Sequence, residues 1–178
     1  MRTTYRLLAL AACSLTLAGG ARDPATPVSD AVRSAAARAE KNFIAAAEEM
    51  PAGKYGFKPT AAQMAFGEVI AHMAGGNDAL CSSIGGVPAP KRPELGAGAS
   101  KEKLVARLRE TFRFCETALS KVNDARLGGM VPYFGSGEVS QAAAMLAAAE
   151  EWAGHYSQIA VYLRLNGLQP PTARPRPA

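Results

Sequence analysis

Two histidines occur in the 178 residues, His72 and His155. Each follows a glutamate by four positions, as Glu68-x3-His72 and Glu151-x3-His155. Residues four apart share one face of an α-helix, so each pair can converge on a point. Imidazole and carboxylate together suit zinc, nickel, iron or manganese, and the facing helices of a bundle are a known setting for such sites. The spacing differs from the Glu-x-x-His of carboxylate-bridged di-metal bundles. At about 100° per residue, His155 lies about 70° from the centre of its helix's apolar stripe, and His72 about 120° from its own. Such flank positions equally suit half-exposed histidines paired with glutamates. Trp152, Tyr156 and Tyr162 could line a pocket, although aromatics at helical spacing also build cores. Ser157 has no triad partner, and neither a phosphate loop nor a dinucleotide fingerprint occurs.

Holding these residues in place requires helices. Hydrophobic residues make up 48% of the chain and charged residues 20%, and alanine dominates over β-branched types, which predicts an all-α domain. Periodicity and caps predict four helices. The first spans about 29–50, capped by Ser29 or Asp30 and stopped by Pro51 and Gly53. The second spans about 60–83, with Thr60 as N-cap and Gly85-Gly86 at its end. Gly75 and Gly76 inside it mark a kink or a place where another helix or a ligand comes close. The third spans about 100–124 from Ser100. The fourth spans about 138–166, with Gly167 as C′ residue and Pro170-Pro171 beyond. Residues 127–137 read as a glycine-rich linker. Two connections exceed ten residues, so the bundle need not run up-down-up-down.

Residues 1–21 read as a signal peptide: Arg2 and Arg6, the apolar run from Leu7 to Leu17, then Ala18, Gly19, Gly20 and Ala21. Residues 22–28 link it to a domain over 29–171, and 172–178 form a Pro/Arg-rich tail. The expected location is periplasmic or secreted. Leu10-Ala11-Ala12-Cys13 also fits a lipoprotein box, in which case lipid on Cys13 would tether the protein to a membrane. Losing Arg2 and Arg6 lowers the formal charge from +5 to +3. Arg174 and Arg176 of the tail carry two of those charges, and no basic stripe with interleaved aromatics remains. Nucleic acid is therefore not an expected partner. Export also leaves two cysteines, Cys81 and Cys115. An even pair in an oxidising compartment is a disulfide candidate, the alternative being two buried free thiols.

His155-Tyr156-Ser157-Gln158, Tyr162-Leu163-Arg164-Leu165-Asn166-Gly167 and Pro170-Pro171 together resemble the C-terminal signature of DinB-like (YfiT-like) four-helix-bundle proteins. Met50-Pro51, Tyr55-Gly56-Phe57-Lys58-Pro59-Thr60, Phe66-Gly67-Glu68 and His72 resemble the first link and second helix of that family. Cys81-Ser82 and Phe114-Cys115 resemble an exported branch with cysteines at these places. The resemblance covers roughly residues 28–171. It implies a bundle that holds a divalent metal, often zinc or nickel, on three side chains. One is a histidine of the second helix, matched by His72. The others are two histidines four apart on the fourth helix, matched by Glu151 and His155. Glu151 breaks the three-histidine pattern, which leaves a two-histidine, one-carboxylate site or a site without metal. Glu68 then stands as the partner that orients His72. Some relatives are thiol-dependent transferases or isomerases, in which the metal lowers the pKa of a bound thiol. The resemblance thus implies a divalent-metal enzyme of the hydrolase or thiol-transferase class acting on an unidentified small molecule. The alternative is a non-catalytic envelope bundle that binds a ligand or protein. Either could form a homodimer through its helix faces.

Overall fold

The computed structural model describes residues 26–96, 98–135 and 137–175. The expected signal peptide, Cys13, most of the expected 22–28 linker and the end of the tail lie outside these residues. The described residues contain four α-helices: α1 Pro27–Glu49, α2 Phe66–Gly85, α3 Lys101–Leu119 and α4 Gln141–Leu165. Two short strands, β1 Met130–Pro132 and β2 Glu138–Ser140, pair antiparallel just ahead of α4, with Val131 opposite Val139. No described helix is long and apolar enough to cross a membrane.

The helices do not pack in chain order. Both α1 and α2 pack broadly on α3 and α4, so α1 and α2 face each other across one diagonal of the bundle. Ser29 meets Asp124 and Glu48 meets Arg109, which makes α1 and α3 antiparallel. Asn77 meets Thr111 and Cys81 is bonded to Cys115, which makes α2 and α3 parallel. Residues 86–100 carry the chain back along the bundle to allow this. Trp152 meets Asn77 and Tyr162 meets Met64, so α4 is antiparallel to α2. The core between them is built from Phe43, Phe66, Ile70, Leu108, Phe112, Met145 and Ile159, each at most 2% exposed. The Cys81–Cys115 disulfide joins α2 to α3 with Cα atoms 5.0 Å apart.

Helix ends show where residue type misleads. The first helix starts at Pro27, and Ser29 is not its cap. The Ser29 hydroxyl and the N–H groups of Val28 and Ser29 donate to the Asp124 carboxylate at 2.6, 2.9 and 2.9 Å. Asp124 lies beyond the end of α3 and caps α1 from another segment. Desolvation pushes its carboxyl up, but the bonds from Ser29 and Val28 outweigh this and hold it below the usual range. In return, Arg33 Nη1 donates to the Leu119 and Val122 carbonyls at 3.2 and 3.1 Å, satisfying the open end of α3.

The second helix starts at Phe66, six residues later than Thr60. The Ala65 N–H donates to Glu68 Oε2 at 2.6 Å, so Glu68 closes the N-terminal turn. At the other end Gly86 is left-handed at φ 63. A Cβ on Gly85 would sit 2.5 Å from the Ala118 carbonyl oxygen, so only glycine lets α2 approach α3 this closely. The stretch 127–137, expected as linker, contains β1 and the turn into β2. Glu138, expected to open the fourth helix, belongs to β2. Ser140 is the true N-cap of α4, accepting from the Ala143 N–H at 3.2 Å. Gly167, at φ 74, follows the end of α4 as its spacing predicted.

Candidate metal centre

His72 projects from α2, while Glu151 and His155 project from α4. The two helices are antiparallel neighbours, and a buried polar bracket fixes their register. Trp152 Nε1 donates to Asn77 Oδ1 at 2.8 Å, and Asn77 Nδ2 donates to Thr111 Oγ1 at 3.3 Å. Trp152 therefore points inward, which turns its neighbour Glu151 toward the surface beside His72. One ligand atom from each of His72, Glu151 and His155 lies within 4.8 Å of the others. His155 Nε2 is 3.1 Å from Glu151 Oε2. The two imidazole rings meet edge to face, with centroids 4.8 Å apart.

These residues fit a divalent ion. On a tetrahedral ion with bonds of about 2.1 Å, neighbouring donors are about 3.4 Å apart. The His155–Glu151 pair, at 3.1 Å, is close to that spacing, and the three ligand atoms, within 4.8 Å of one another, would draw closer to share one ion.

The donor chemistry agrees. Tyr162 Oη donates its one proton to the Met64 carbonyl at 2.9 Å. It therefore accepts from Gln158 Nε2, 3.0 Å away. That fixes the Gln158 amide so that Oε1 faces His155 Nδ1 at 3.0 Å. Nδ1 must then carry a proton, and Nε2 is left to face the Glu151 carboxylate. A neutral imidazole in that tautomer sets two acceptors against each other, which requires a proton or a cation between them.

The family model of the DinB superfamily matches residues 35–159. The chain belongs to the DinB superfamily. Solved structures carry the same fold. A DinB-like protein from Bacillus subtilis is 16% identical, with 82% of this chain and 99% of that one covered at a TM-score of 0.66. A DinB-like protein from Bacillus cereus is 15% identical, with 80% and 95% covered at 0.68. A conserved protein from Enterococcus faecalis is 16% identical, with 79% and 96% covered at 0.62. No curated protein matches the chain.

Other side chains of this DinB-superfamily chain depart from their expected roles. Glu68 does not orient His72. Its carboxylate caps α2 at Ala65 and lies 3.6 Å from Lys58 Nζ. The Ala65 N–H bond, working against desolvation and aided by Lys58, holds the Glu68 carboxyl below its usual range. Its contribution to stability is present above the ordinary glutamate range and fades as pH falls through the lowered value. Tyr162 sits in the core, while Trp152 and Tyr156 do line a hollow, but one between α1 and α4 beside Ala35, Ala39 and Ala149 rather than the cleft at His72. Tyr156 turns the other way, against Phe43 of α1, with its hydroxyl 3.0 Å from Thr172 of the tail.

Gln158 is the residue that sequence reasoning passed over, although it stands three after His155 and four before Tyr162 on one helix. Gln158→Leu is expected to weaken metal binding by roughly 10- to 100-fold in a chelator competition. Gln158→Glu, which still accepts from Nδ1–H, should keep most of the affinity. Equal affinity in the leucine variant would exclude the relay.

Proposed function

We propose that this chain is an exported divalent-metal protein of the DinB superfamily, acting as an enzyme of the hydrolase or thiol-transferase class. One observation carries the reading: the ligand atoms of His72, Glu151 and His155 converge from two helices that the Trp152–Asn77 bond holds in register. Three protein ligands with exposed His72 on one side leave room for water or substrate, the arrangement of catalytic rather than structural sites. A divalent ion there supplies a Lewis acid that favours the deprotonated form of a bound thiol or water. The chain's own contribution is to place Glu151 and His155 one turn apart, to fix the His155 tautomer through Gln158, and to keep one carboxylate against the ion's charge. The signal-like residues 1–21 and the bonded cysteine pair support export.

Elemental analysis of the protein from its native compartment, purified without a histidine tag, tests the reading. About one divalent ion per chain is expected for a three-ligand site. Protein free of metal that also takes none up on dialysis against zinc, nickel, iron or manganese would favour the non-catalytic envelope bundle instead.

A further inference from the structure

A cleft of about 490 Å³ opens beside the three donors, between α2, α4 and the hairpin. His72 and Glu151 stand at one side of it. The remaining wall is apolar, from Met73, Leu80 and Phe134, and the backbone of Gly75 and Gly76 forms its floor. A Cβ on either glycine would meet no atom within 4 Å. Packing therefore does not call for glycine at these positions, although each costs a helix about 1 kcal/mol relative to alanine. What the glycine pair does provide is room in the cleft. Phe134 stands at the rim, 57% exposed and in the left-handed region at φ 39. A strained, exposed aromatic over a cavity is the kind of outlier found at ligand sites.

The charge pattern narrows the ligand. No lysine or arginine is among the described residues that line this cleft. Arg92 and Arg107 border the next hollow, across Gly75, and both are neutralised. Arg92 pairs with Asp78 at 2.7 Å and with Glu110 at 2.9 Å, and Arg107 lies 3.4 Å from Glu110.

We propose that the cleft binds a small uncharged molecule with an aromatic or apolar body and one donor end. The body lies on the Gly75–Gly76 backbone beneath Phe134, and the donor end faces His72 and Glu151. This inference rests on the metal reading above and adds the substrate class to it.

The test uses cobalt-loaded protein and two alkyl thiols of similar acidity, benzyl mercaptan and 2-mercaptoethanol, followed by the sulfur-to-cobalt charge-transfer band. Benzyl mercaptan is expected to bind roughly 10- to 100-fold more tightly, the value of burying one phenyl group. The Cβ of Gly76→Leu meets no neighbour and its side chain extends into the cleft, which should erase that preference while the visible cobalt spectrum stays. Equal affinities in the cobalt-loaded protein, or an undiminished preference in Gly76→Leu, would overturn the proposal while leaving the metal reading intact. Failure of cobalt to enter at all overturns the metal reading, and this inference with it.

Discussion

His72→Ala and His155→Ala are each expected to weaken metal binding by about two to three orders of magnitude. A four-ligand zinc site is worth roughly 10–16 kcal/mol, so one ligand of the set accounts for about 3–4 kcal/mol. The two variants should fold normally. His72 is exposed and His155 only part-buried, and substitutions at such places usually change stability by less than about 0.5 kcal/mol. Glu151→Gln keeps the shape but removes the one negative charge, and should fall between wild type and the histidine variants. Glu151→His restores the three-histidine pattern, and is expected to hold an ion with a shifted preference toward softer, nitrogen-loving metals. Chelator competition, with circular dichroism to verify folding, measures all four. If His155→Ala bound metal as tightly as wild type, the ion would have to sit elsewhere.

Replacing both cysteines, Cys81→Ala with Cys115→Ala, should lower stability by roughly 3–4 kcal/mol, the loop-closure entropy of a bridge of this span. The bridge spans 34 positions and links two parallel helices at a Cα separation within the ordinary range for disulfides. Both cysteines are wholly buried, so the substitution also leaves a small void. The double variant should unfold at a clearly lower urea concentration, and its melting temperature should drop by about 10 °C. Reduction of the wild-type protein during unfolding should reproduce most of the shift. Coincident unfolding curves for oxidised, reduced and double-variant protein would refute the assignment of that stability to the bridge.

Much of the bundle was legible because its signals are local. Ser100 and Gly167 behave as their types and positions suggest, and the stripe through Met145, Trp152, Ile159 and Leu163 faces the core. The errors are linked. Thr60 is a good cap by type, but residues 60–65 form turns, and the helix begins only where Glu68 can reach back to Ala65. Started at Thr60, the helix puts Glu68 in its interior, where it looks like a partner for His72. Started at Phe66, it puts Glu68 in the first turn, where the free N–H groups claim it. The same four-residue spacing at Glu151 and His155 falls in mid-helix, where backbone groups are already bonded and the carboxylate remains available. The hairpin was not legible because three-residue strands show no alternation. The Asp124 cap joins residues 95 apart in the chain, and no local pattern records it.

The diagonal arrangement of the helices has a consequence for how the chain finds its structure. Neither α1 with α2 nor α3 with α4 forms a broad neighbour-to-neighbour interface, so fewer of the contacts are short-range than in a simple up-down bundle. The three donors come from segments about eighty residues apart, and the cap on α1 waits for residue 124. Loop-closure entropy must be met before such contacts return energy, and chains of higher contact order fold more slowly. A bond formed early between Cys81 and Cys115 aligns α2 with α3 and shortens that search. The donors, by contrast, can meet only where α4 has docked on α2, which makes a captured ion a reporter of that long-range step.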